Sequence, residues 1–224
     1  MTTTRAIDVS NYSGEISPEQ ARALYVVGIR RVIVQAVNER VLTHRQQIPV
    51  LLTAGFEVEG YVYVWFSADT QFVANRVEWA CREFDDFPGV TKRMWLDCEQ
   101  TALDTPPFDH VNEPVSMHIR TAVDVTTAMG YAPGIYTAEW WWRPGASNST
   151  EWAHLPLWNA EYDGDPETLA VNYGGWTKAT MKQYAGTSTV ASVPMVDLDA
   201  YPELLPNVAA AKMALKEALR LLGE

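Results

Sequence analysis

The 224-residue chain is short of cysteine, of cationic residues and of long apolar runs. Each shortage excludes a class of protein. Two cysteines, Cys81 and Cys98, make no disulfide framework. Cys98 falls on the back of a predicted strand and Cys81 on the apolar face of a predicted helix, so both are expected as buried thiols. Lysine and arginine number 17 against 28 acidic residues, for a formal net charge of −11. Phosphate backbones and anionic bilayers are both held by clustered cations, so neither nucleic acid nor membrane is an expected partner. No apolar run approaches the 18 residues or so of a membrane-spanning helix. His44, His110, His118 and His154 are scattered without metal-ligand spacing, so no metal and no cofactor are expected.

Against these shortages stand carboxylates at predicted strand ends. The apolar run Met94-Trp95-Leu96 ends in Asp97-Cys98-Glu99. Strand side chains alternate, so Asp97 and Glu99 face one way and Cys98 the other. Two strand steps part their Cα atoms by about 6–7 Å, a spacing suited to two carboxyl groups flanking one bond. Ala6-Ile7-Asp8-Val9-Ser10 and Met195-Val196-Asp197-Leu198-Asp199 repeat the pattern at the two ends of the chain. In a closed parallel barrel the first and last strands are neighbours, which gathers Asp8, Asp97, Glu99 and Asp197 into one mouth. Nine tryptophans and ten tyrosines add stacking surface for the apolar faces of sugar rings.

The length and 47% hydrophobic content suit a single domain over 1–224, with no internal repeat or linker. Helix signals alternate with apolar strand runs through Tyr136. Beyond it, the stretch between Leu155–Ala160 and Met181–Tyr184 is rich in Gly, Trp and Asp, and Pro206–Leu222 reads as an amphipathic helix. Only about ten residues part Tyr184 from Met195, short for a parallel crossover through a helix. The fold class expected is α/β: an irregular TIM-like barrel, five β/α units followed by three mainly antiparallel strands.

In their order, several motifs resemble glycoside hydrolase family 25, the lysozyme-type muramidases. They are Ile7-Asp8-Val9-Ser10 with Tyr12 and Gly14, Asp97-x-Glu99, Gly134-Ile135-Tyr136-Thr137, the run Pro156 to Tyr162, Gln183-Tyr184, and Val196-Asp197-Leu198. The resemblance implies that Glu99 is the proton donor, that Asp97 stabilises positive charge at the reacting centre, and that Asp8 and Asp197 are the other site acids. It places Tyr63, Tyr136, Trp158 and Tyr184 along the sugar groove, with Trp65 an alternative to Tyr63 and Asn159 beside Trp158. Tyr63-Val64-Trp65-Phe66 departs from the family's Tyr-His-Phe-like run, and Asp199 stands where an amide is frequent, adding a negative charge; Asp197 is favoured as the acid facing the site. The implied partner is the peptidoglycan glycan strand, cut by a monomer at the β-1,4 bond between N-acetylmuramic acid and N-acetylglucosamine. The alternatives are a glycosidase of the same fold on another amino-sugar polymer and a non-catalytic carbohydrate-binding or phage structural component. Met1 to Arg5 leads straight into the first strand and leaves no room for a signal peptide's apolar region. The expected route is therefore a phage-encoded or otherwise released protein acting on the cell wall.

Overall fold

Ser17 and Gln20 bond reciprocally at the start of α1 (Pro18–Val26), with Pro18 in the first turn. This capping box satisfies two backbone donors that a helix start otherwise orphans. Asp69 does the same for α3 (Thr70–Asp85), its Oδ1 accepting the Phe72 N–H at 2.7 Å. The computed structural model describes residues 3–37, 42–66, 68–99 and 113–202. The helix expected over 206–222, and His110, lie outside the described residues. The other helices are α2 (His44–Thr53), α4 (Val115–Ala128) and α5 (Glu139–Gly145).

Eight strands close a barrel. In order round it they are β1 (Thr3–Val9), β2 (Ile29–Gln35), β3 (Glu57–Tyr63), β4 (Arg93–Asp97), β5 (Ala132–Thr137), β6 (Leu157–Ala160), β9 (Met181–Val190) and β10 (Val193–Pro202). Strands β1 to β6 and β9 are parallel neighbours, while β10 runs antiparallel to both β9 and β1. The α/β barrel is as expected, but of its last three strands only β10 reverses. Twenty residues part β6 from β9, enough to bring the chain back in the same direction; two residues part β9 from β10. Those two, Ala191 and Ser192, have φ of 49° and 65°, the left-handed pair of a tight hairpin. Between β6 and β9 the chain forms a separate hairpin of β7 (Ala170–Tyr173) and β8 (Trp176–Lys178).

Alternation divides the apolar residues into two sets. Val32, Val34, Val62, Leu96, Cys98 and Ile135 point outward onto helix residues such as Val73, Val77 and Phe84 of α3. Both cysteines are free and buried, as expected. Ala6, Ile33, Trp95, Tyr136, Trp158 and Met181 fill the barrel's interior. The Trp95 indole fits there because its register partner is Gly134, where a Cβ would lie 2.5 Å from the ring. Its Nε1 donates to Glu59 Oε2 at 2.6 Å, toward the barrel floor. The site thus stands on an aromatic plug.

Candidate active site

Four acids reach the mouth from three strands. Asp8 is next to last on β1, Asp97 ends β4 with Glu99 two residues on, and Asp197 lies on β10 opposite Asp8. Strand closure joins the two ends of the sequence: Asp8 and Asp197 are register partners 189 positions apart. All four line one cavity of about 70 Å³, with Tyr61, Tyr136, Trp158 and Gln183. Asp8 and Asp97 are almost fully buried, whereas Glu99 is half-buried.

Gln183 organises the cavity. Its Oε1 accepts the hydroxyls of Tyr136 at 2.8 Å and Tyr162 at 2.7 Å. Its Nε2 is thereby left to donate, to Asp8 Oδ2 at 2.6 Å and Asp197 Oδ2 at 3.3 Å. Asp197 Oδ1 also accepts the Thr187 N–H at 2.6 Å. Burial, and then the Asp197 charge, push the Asp8 carboxyl up to about 8. Burial raises Asp197 too, against the pull of the Thr187 N–H. Burial, and then the surrounding carboxylates, push the hydroxyls of Tyr61 and Tyr136 well above their ordinary value, so both stay neutral donors. The cavity therefore concentrates protons as well as charge.

Glu99 also opens onto a groove of about 790 Å³, within the 300–1,000 Å³ or so usual for small-molecule sites. Glu139, Trp140 and Arg143 of α5 form one wall, and Val171, Asn172 and Tyr173 of the β7–β8 hairpin form another. Asn159 and Tyr162 line it between them. Tyr173 donates to Asn159 Oδ1 at 2.6 Å, and Arg143 donates to the Asn172 carbonyl at 2.8 Å, which ties the walls together. The segment carrying Tyr162 is held by Lys182, wholly buried, whose Nζ lies 2.7 Å from Asp163 and 3.5 Å from Glu161. Trp140 is mostly exposed at the rim.

Of the expected aromatics, Tyr136 and Trp158 line the cavity and Asn159 the groove. Tyr63, Trp65 and Tyr184 fall outside both described linings. Tyr63 shares the register of Tyr61 but packs edge-on against Trp65, centroids 5.6 Å apart, and Trp65 packs on Phe72 of α3. Tyr184 is displaced by alternation, since Gln183 takes the inward position on β9 and sends its neighbour outward. The eighth barrel strand likewise presents Asp197 to the cavity and buries Asp199 completely. Tyr61 and the α5 and β7–β8 arm were not foreseen, nor were site roles for Gln183 and Tyr162, which the sequence offered only as parts of motifs. Gly174-Gly175 between Tyr173 and Trp176 was the available signal for the hairpin. Ser10 caps a 3-10 turn (Asn11–Ser13), its Oγ accepting the Tyr12 N–H. Among the described residues, no cluster of His, Cys, Asp and Glu is arranged to hold a metal ion.

Comparison with known proteins agrees with this geometry. The family model described as "Glycosyl hydrolases family 25" matches residues 7–193. A curated relative, "Probable GH family 25 lysozyme 3" of Dictyostelium discoideum, is 34% identical over 111 residues, 49% of this chain. The match spans only 22% of that relative's length. The structure of a family GH25 lysozyme from Aspergillus fumigatus superposes with a TM-score of 0.72 at 18% identity, covering 92% of this chain and 97% of that one. A muramidase from Trichobolus zukalii gives 0.69 at 21% identity, with the same coverage. At such identities the structures speak for the fold, and the family model, spanning more than half the chain, speaks for descent. The chain belongs to glycosyl hydrolases family 25.

Proposed function

We propose that this protein is a muramidase that hydrolyses the β-1,4 bond between N-acetylmuramic acid and N-acetylglucosamine in peptidoglycan. The observation that carries the proposal is the position of Glu99. It borders both the tight acidic cavity and the open groove, so a sugar polymer lying in the groove brings one linkage between Glu99 and Asp97. Glu99 protonates the leaving glycosidic oxygen as the C–O bond breaks, and then takes a proton from the water that adds to the anomeric carbon. A carboxylate at Asp97 faces the positive charge that develops there, directly or through the substrate's acetamido group. Tyr136 and Gln183 hold the acids in place, and Trp140 and Tyr162 offer apolar faces for sugar rings along the groove.

Incubation with purified peptidoglycan tests the reading. New reducing ends should appear at muramic acid residues, and turbid suspensions of bacterial walls should clear. Release of N-acetylglucosamine reducing ends, or cleavage of chitin in preference to peptidoglycan, would move the protein to another amino-sugar activity. No reducing ends from any such polymer would leave a carbohydrate-binding role.

A further inference from the structure

Asp199 lies behind the four acids that line the cavity and takes no part in the proposed chemistry. It lies on β10 between Ala6 of β1 and Gln183 of β9, and its side chain is wholly buried. Its Oδ1 accepts the Trp158 Nε1–H at 2.8 Å, while no N–H or neutral hydroxyl reaches Oδ2. No cation among the described residues pairs with it. What Asp199 does meet is another acid: the Asp8 and Asp199 carboxyl groups lie within hydrogen-bonding reach of each other. Two carboxylates cannot hydrogen-bond, so one of them carries a proton. Asp8 is already on the receiving side, because the two tyrosine hydroxyls on Gln183 Oε1 turn the Gln183 amide N–H toward Asp8 Oδ2.

We propose that Asp199 is a resident neutral acid of the site, a positioning residue whose proton on Oδ2 donates to Asp8 and fixes that side chain against the cavity. The direction of ionisation agrees. Burial, and then the Asp8 charge, hold Asp199 well above the ordinary carboxyl range, while the bond from Asp199 pulls Asp8 the other way. The titratable groups around the pair are Asp197 on the same strand, Asp97 and Glu99 from β4, Tyr61 from β3, Tyr136 from β5 and Tyr184 from β9. All are acids or neutral phenols; the charge of Arg5 on β1 acts on Tyr184, and among the described residues it forms no ion pair with Asp199. This proton is separate from the one that Glu99 delivers. Asp199 therefore adds no negative charge to the acidic cluster. The inference deepens the muramidase reading, because Asp8 borders the same cavity as Glu99.

Comparison of Asp199→Asn with Asp199→Leu tests it. An amide offers one acceptor for Trp158 and one donor for Asp8, whereas leucine offers neither. Three readouts follow, two of which need no substrate and so stand apart from the muramidase reading. The wild-type minus Asp199→Asn difference infrared spectrum at neutral pH should show one protonated-carboxyl band lost with Asp199, beside any band that Asp8 contributes to both proteins. In denaturant titrations between pH 5 and 8, the folding constant of Asp199→Asn should fall about tenfold less per pH unit than that of the wild type, since one proton fewer is released on unfolding. On peptidoglycan, Asp199→Leu should lose at least ~10-fold more turnover than Asp199→Asn. A difference spectrum without a lost carboxyl band, a pH slope equal to the wild type's, or equal damage from asparagine and leucine would each overturn the proposal. Should the leucine variant not fold, the first two readouts on Asp199→Asn decide it.

Discussion

In the proposed reaction, Glu99 and Gln183 divide the work of the cavity between proton transfer and polarity. Glu99→Gln keeps the shape of the side chain but removes the transferable proton, so turnover on peptidoglycan should fall by at least ~10²-fold while the melting temperature holds. Near-normal hydrolysis by that variant would remove Glu99 from its role. Asp97→Asn should be comparably severe, because it takes away the charge opposite the developing cation. Gln183→Leu deletes one amide that four groups use: the hydroxyls of Tyr136 and Tyr162 and the carboxylates of Asp8 and Asp197. It should cost about 1–3 kcal/mol of stability through buried groups left unpaired. It should also lower kcat more than it raises KM, read from steady-state kinetics beside a urea titration.

Among the elements, the interior plug and the groove arm make opposite demands. Gly134→Val would set a branched side chain where even a Cβ meets Trp95 at 2.5 Å. Trp95 packs on Trp158, and Trp158 holds Asp199, so stability and activity should fall together, by about 1–3 kcal/mol on overpacking alone. In the arm, Trp140→Ala touches an exposed rim, so KM should rise by about 2–10-fold with the melting temperature unmoved. The two elements also differed in how far they were legible. Asp8, Asp97 and Asp197 stand out because an acid closing an apolar run is a local pattern, although Asp197 falls in the middle of the antiparallel β10 and not at its end. The inward phase of β9 is not local: shifts in its pairing with β10 break the alternation, and only the closed barrel decides between Gln183 and Tyr184. Helix α5 is seven residues long, with three tryptophans and an internal Pro144, a composition with no clean helical period. The arm therefore emerges only when the chain folds back over the mouth.

For the whole molecule, the buried acids set a pH window. The folded Asp8 carboxyl is raised to about 8, against about 3.9 unfolded, and Asp197, Asp199 and Glu59 are raised in the same direction. Between those limits the folded state holds protons that the unfolded chain has lost, so this contribution is complete below about 4 and drains away as pH rises toward 8. His44 acts in reverse: burial beside Glu83 lowers it, so it costs stability as pH drops below about 6.5. From pH 6.5 to 8 it no longer offsets the acids. Denaturation midpoints should decline across that interval, and hydrolysis should fade with them into alkali; a flat profile would contradict both. The antiparallel run of β10 has a consequence of another kind. Its partner in the barrel seam is β1, and Thr3 pairs with Pro202 at the end remote from the acids. The backbone thus enters and leaves the barrel side by side at its base. A protein immobilised through that base would present its open end outward, free to meet a polymer far larger than itself, as a brush meets a surface with its handle behind it.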